Sequence, residues 1–113
     1  MKFLTTQSGA VTVITLQGNL MGGPDASTLN GQLHNLLAEG KKHVVLDLTG
    51  VQFINSSGLG LLIGSVTTMR SSGGSLKIAG ASEKILGLIR ITKLESVFET
   101  YPSVDDAVAS VKM

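Results

Sequence analysis

The stretch "HVVLDLTG", residues 43–50, constrains this chain more than any other. Val44, Val45, Leu46 and Leu48 are too dense for a strand with one wet face. A run of this kind reads as a strand covered on both sides, which calls for helices above and below a sheet. The segments around it fit that demand. "FLTTQSGAVTVITLQG" holds two β-rich runs about Ser8-Gly9, with Val11, Val13 and Thr15 alternating against Thr12 and Ile14, and predicts an antiparallel hairpin. "GGPDASTLNGQLHNLLAEG" then predicts a helix, with Pro24 at a first helical position, Asp25 in the first turn and Leu29, Leu33, Leu36 and Leu37 on one stripe. Gly40 ends it.

Beyond the central strand, Leu59, Leu62, Ile63, Val66 and Met69 recur at helical spacing in a helix that starts near Gly58 and stops at Gly73-Gly74. "SLKIAG" reads as a strand and "SEKILGLIRITKL" as a helix capped by Ser82. A short strand is expected near Val97 to Glu99. "SVDDAVASV" reads as a last helix, with Ser103 and Asp106 at capping-box spacing and Val104, Ala107, Val108 and Val111 as its apolar set. Strands alternating with helices predict an α/β sandwich: a central mixed sheet of four to five strands, an opening antiparallel hairpin followed by parallel neighbours, and about four helices. At 113 residues, residues 1–113 are expected to form one domain.

Charge and composition exclude several functions. Nine Lys plus Arg stand against eight Asp plus Glu, without long runs, so no nucleic-acid footprint is visible. Zero cysteines exclude disulfides, thiol catalysis and thiolate zinc sites, and suit a reducing compartment such as the cytoplasm. "MKFLTTQSGA" lacks the apolar stretch of a signal peptide, and "GLGLLIG" is far short of the roughly 18 residues that span a bilayer. Membrane insertion is not expected.

Enzyme motifs fail on inspection. Neither Ser56 nor Ser57 is preceded at two residues by glycine, as a nucleophile elbow requires; the residues there are Ile54 and Asn55. "GLGLLIG" has Ile63 where a dinucleotide fingerprint needs its third glycine, and no phosphate loop occurs. His34 and His43 have no partners at metal-ligand spacing, so neither a metal nor any other cofactor is called for. Asp47, at the end of the buried strand, suits a carboxylate that holds the following loop by accepting backbone N–H bonds.

The corner "NSSG" is different. Asn55, Ser56 and Ser57 are all helix-capping types, yet a helix needs one cap, which leaves at least one hydroxyl for other work. Gly60 and Gly64 lie one turn apart, off the apolar stripe, beside Leu61, Ser65 and Thr68 on the side read as facing away from the core. Each glycine costs a helix about 1 kcal/mol against alanine. Close approach of a partner, or settling of the helix onto the sheet or a neighbouring helix, would each offset that cost.

Taken together, "HVVLDLTGVQFINSSGLGLLIG", the "GNLMGG" turn, "GGSLKIAG" and "LESVFETYPSVDDAVASV" resemble the STAS domain, the anti-sigma factor antagonist family, over nearly the whole chain. That resemblance implies a small cytoplasmic α/β domain that is a ligand and substrate of a serine-kinase anti-sigma factor, not an enzyme. It would regulate transcription indirectly by partner switching and be reset by a serine phosphatase; a monomer is the default expectation, which the resemblance does not itself supply. It places the phosphorylated residue at Ser56, with Ser57 the lesser candidate. The partner face would comprise Met21, Gly22, Gly23, Asp25, Asn55, Ser57, Gly58, Gly60, Leu61, Gly64 and Ser65. Two positions depart from the family pattern: Asn55 stands where phosphorylated members usually have aspartate, and Met21 where an acidic residue is usual. The same face would also suit an unphosphorylated scaffold or adaptor in a signalling or membrane-associated complex.

Overall fold

A computed structural model describes residues 2–111. Strands β1 (Lys2–Ser8) and β2 (Val11–Gln17) form the antiparallel hairpin, and β3 (His43–Gly50), β4 (Ser75–Ala79) and β5 (Glu99–Tyr101) add in parallel. The five-stranded sheet runs β1-β2-β3-β4-β5, so the apolar run at 43–50 is its middle strand. Helices α1 (Pro24–Ala38), α2 (Ser56–Ser71), α3 (Glu83–Ile91) and α4 (Val104–Ser110) complete the chain.

The two faces of the sheet are covered unequally. On one, Ile14, Leu16, Val44, Leu46, Leu48 and Ile78 meet Leu29 and Leu33 of α1, Leu62, Val66 and Met69 of α2, and Ile85 and Ile89 of α3. On the other, Val11, Val13, Val45 and Ala79 meet Ala107 of α4, with Val104, Val108 and Val111 partly buried against them. The four apolar positions of β3 therefore divide between two cores, which is why that strand carries no alternation.

Two expected boundaries move. The third helix stops at Ile91 because Lys93 takes a left-handed backbone (φ 59°) and reverses the chain, with the Leu94 N–H donating to the Ile89 carbonyl at 2.9 Å. The last strand is Glu99–Tyr101 instead of Val97 to Glu99. The Val97 and Phe98 N–H groups are already given to the Leu94 carbonyl, and Phe98 turns into the core at 4% exposure. Pairing begins only at Glu99, opposite Lys77.

On the α4 side, the Lys77 ammonium pairs with Glu99 at 3.0 Å and lies 5.5 Å from the centre of the Tyr101 ring. Burial alone would lower the Lys77 pKa, but the hydrogen bond and charge of Glu99, assisted by Tyr101, hold it above its ordinary 10.5. The Lys77 hydrogen bond in turn holds Glu99 below its ordinary 4.5, against the opposing effect of burial. This pair fastens the short edge strand on the face opposite α2.

Candidate functional site

Two loops build the corner in front of α2. Past the ends of β2 and β3 they stay zipped: the Gly18 N–H donates to the Gly50 carbonyl at 3.2 Å, Leu20 N–H to Phe53 at 2.9 Å, and Asn55 N–H to Leu20 at 3.3 Å. A parallel bridge pairs Leu20 with Ile54. The corner is thus an extension of the sheet, held by its backbone.

Asn55 is the helix cap. Its backbone is extended (φ −103°, ψ −176°), its Oδ1 accepts from the Gly58 N–H at 2.8 Å, and its carbonyl accepts from the Leu59 N–H at 2.9 Å. The helix consequently starts at Ser56, two residues before the expected start near Gly58. With capping assigned to Asn55, Ser56 and Ser57 occupy the first two helical positions, both exposed. Among the described residues neither hydroxyl has a hydrogen-bond partner. Gly22 lies against Ser57: a Cβ at position 22 would come within 2.9 Å of the Ser57 Cβ.

The residues named for the partner face divide in three. Met21 (45% exposed), Gly23, Ser56, Ser57, Gly60 and Gly64 stand on the surface, and Asn55 and Asp25 are half-buried beside them. Gly22 and Gly58 are buried and serve the fold. Gly22 (φ 83°) turns the chain, and at Gly58 a Cβ would run into the Leu20 backbone carbonyl. Ser65 does not face outward as expected. It is 3% exposed, its hydroxyl donates to the Leu61 carbonyl at 2.8 Å, and with half-buried Leu61 it lines a groove of about 310 Å³ between α1 and α2. Packing of α1 alongside α2 is what buries it.

Gly60 and Gly64 give a clear answer to the question their helix cost poses. A Cβ at either position would meet nothing within 4 Å, so neither glycine serves close packing within this chain. The expectation that they let α2 settle onto the sheet or a neighbouring helix is overturned.

The remaining candidates fall outside the corner. Asp47 Oδ1 accepts from the Thr49 N–H at 3.0 Å and from its hydroxyl at 2.6 Å, the loop-holding role expected of it. His43 Nδ1 lies 2.9 Å from the Ser75 hydroxyl at the start of paired strands, and His34 is exposed on α1. Among the described residues, no group of three His, Cys, Asp or Glu could hold a metal ion. No helix of those residues is long and apolar enough to cross a membrane. The residue that motif reading overlooked is Phe53. It is 41% exposed on the loop that leads to Asn55. A large aromatic placed between a buried strand and a capping corner was its only signal.

A five-stranded mixed sheet carrying three helices on one face and one on the other, with a capped serine corner after the middle strand, defines a class of small α/β domains. The chain belongs to the STAS domain family, whose model matches residues 2–107. It is 33% identical over 63 residues to the anti-sigma-B factor antagonist of Bacillus subtilis (strain 168), a match covering 56% of this chain. The match covers 58% of that relative, little more than half its length. An anti-sigma factor antagonist from Mycobacterium paratuberculosis superposes with a TM-score of 0.82 at 24% identity, over 97% of this chain and 92% of that one. The phosphorylated form of the Bacillus cell fate determinant SpoIIAA superposes with a TM-score of 0.73 at 17% identity, over 98% and 100% of the two chains. At these identities the two superpositions establish the fold.

Proposed function

We propose that this protein is an anti-sigma factor antagonist that binds a serine-kinase anti-sigma factor at the Ser56 corner and is released when Ser56 is phosphorylated. One observation carries the reading: Asn55 does the capping, so an exposed serine hydroxyl stands at the first position of α2 without a hydrogen-bond partner among the described residues. The existence of a phosphorylated form of SpoIIAA, which has the same fold, supports it. Met21, Gly23, Ser57, Gly60 and Gly64 complete the exposed contact surface, and Leu61 lies in the adjoining groove.

In the transfer step the Ser56 Oγ attacks the γ-phosphorus of ATP on the kinase. The Oγ–P bond forms, the bond to ADP breaks, and the hydroxyl proton passes to the kinase. Asn55 offers no carboxylate to assist, so the base and the metal must both come from the partner. The product carries about −1.5 to −2 charge where a neutral hydroxyl met the partner. Within its own domain that phosphate sits at the positive end of α2, an interaction worth roughly 0.3–1 kcal/mol when exposed. The fold tolerates the modification and the complex does not. While unmodified, the protein competes with a sigma factor for the kinase; a serine phosphatase would restore it.

Incubation with the purified serine-kinase anti-sigma factors of the source organism and ATP tests this. Phosphate is expected on Ser56 and lost in Ser56→Ala. Label that persists in Ser56→Ala removes Ser56 from the mechanism. Asn55 and Met21, which lower the local negative charge, favour a second reading in which the same face is a constitutive scaffold. In that case the kinase leaves Ser56 unmodified and Ser56→Asp binds partners as the wild type does.

A further inference from the structure

Most of the large apolar side chains left in water gather near one corner of the molecule. Met21 and Phe53 stand on the two zipped loops at 45% and 41% exposure, and Ile91 on α3 reaches 80%. Phe53 and Ile91, with Ile54 and Leu88, wall an open groove of about 320 Å³ alongside α3. Lys84, Leu88 and Ile91 are spaced i, i+4, i+7 and form one outer stripe, while Ile85 and Ile89 enter the core at 1% and 3% exposure. Gly87 keeps the stripe low: a Cβ there would approach only the Arg90 guanidinium, at 3.9 Å.

The groove also carries a cation. The Lys84 ammonium lies 5.6 Å from the centre of the Phe53 ring, and no carboxylate pairs with it among the described residues. Glu83 also lines the groove, and its carboxylate lies 3.9 Å from the Arg90 guanidinium. Apolar walls with the Lys84 ammonium unpaired at the rim match an amphipathic element that brings a carboxylate of its own.

We infer that this groove takes a second element of the same partner: an amphipathic helix presenting apolar residues one turn apart and a carboxylate to Lys84. The inference rests on the function proposed for Ser56, because Phe53 belongs both to the groove and to the loop that ends at the Asn55 cap. A partner seated on Ser56 therefore borders the groove without crossing a gap in the surface. The stripe from Lys84 to Ile91 spans about 10 Å of helix, enough for two turns of a docked helix.

The test is a titration of the isotopically labelled full chain with the purified serine-kinase anti-sigma factor that modifies Ser56. Amide signals of Phe53, Lys84, Leu88 and Ile91 should shift together with that of Ser56. Ile91→Gln and Lys84→Glu should each weaken the complex about tenfold, the loss typical of an interface anchor, and Lys84→Arg should restore it. Their thermal midpoints should stay at the wild-type value, because both side chains project into solvent. If both variants bind as the wild type while Ser56→Asp still releases the kinase, the groove plays no part and the Ser56 switch stands. If the kinase neither binds the wild type nor modifies Ser56, the switch itself fails and takes the groove with it. Concentration-dependent shifts of Phe53 and Ile91 in the free protein would give the groove to a second copy and overturn the inference.

Discussion

Gly58 and Gly60 sit two residues apart in α2 and face opposite demands. At Gly58 a Cβ would drive into the Leu20 carbonyl, whereas at Gly60, and again at Gly64, it would meet nothing within 4 Å. All three glycines carry the same backbone penalty in a helix, about 1 kcal/mol each relative to alanine. On the inner side the penalty is offset by the close meeting of α2 with the zipped loops. On the outer side no contact among the described residues offsets it, and we propose that a partner does. Gly58 is thus a glycine that the fold needs, whereas Gly60 and Gly64 are glycines that we propose serve a partner, and each side can be tested by alanine.

The largest effect is expected at Gly58→Ala. The Leu20 carbonyl cannot simply retreat, because it also accepts the Asn55 N–H that positions the cap. Relief requires sliding α2 or unzipping the loops, and the loss should reach about 3 kcal/mol or prevent folding, at the upper end of overpacking effects. Urea unfolding measures it. An unchanged midpoint would break the comparison, since the inner face would then be as permissive as the outer.

Gly22→Ala should follow at about 2 kcal/mol, combining a left-handed backbone (φ 83°) with the approach to Ser57. Its neighbour sharpens the point. Gly23 has open space around it, so Gly23→Ala should cost only the backbone term; with φ 66° and ψ −135°, a region almost confined to glycine, that term is about 1–3 kcal/mol. Urea midpoints measure both, and an unchanged midpoint in Gly22→Ala would mean that neither its backbone nor the contact with Ser57 is under constraint.

The inner half of this picture was only partly legible in the sequence. The dense apolar run at 43–50 located the middle strand, and the leucine stripe of α1 and the Ser82 and Ser103 caps were read where they stand. What failed depended on groups brought together from afar. Ser65 looked like an outward residue because nothing in its own helix shows that α1 lies alongside. Gly58, Gly60 and Gly64 look alike in the string; only the Leu20 carbonyl tells them apart. The end of α3 was missed because a lysine, and not a glycine, takes the left-handed turn at position 93. Among three adjacent capping types at the corner, helix geometry alone selected Asn55.

That selection gives the next prediction. Asn55→Ala should cost about 1 kcal/mol, the usual worth of a lost N-cap, while Asn55→Asp should keep the cap and leave the unfolding midpoint near the wild-type value. The pair distinguishes capping from function at one position. If Asn55→Asp also speeds phosphorylation of Ser56, the carboxylate is acting on the kinase reaction and not on the helix.

Gly60→Ala and Gly64→Ala should produce the smallest change, and with the opposite sign. Each removes backbone freedom from the unfolded chain and adds a methyl group to open space, so each should stabilise the fold by roughly 0.5–1 kcal/mol. Binding should move the other way. A partner that lies close along the outer side of α2 has no room for two methyl groups, and affinity for the serine-kinase anti-sigma factor should fall although the free protein is more stable. Chemical denaturation and a binding isotherm on the same variants separate the two effects. A loss of stability would show that α2 has an intramolecular contact at these positions after all. A gain of stability with unchanged affinity would leave the outer glycines without a role at the interface, and would confine the proposed contact to Ser56 and the two loops that hold it.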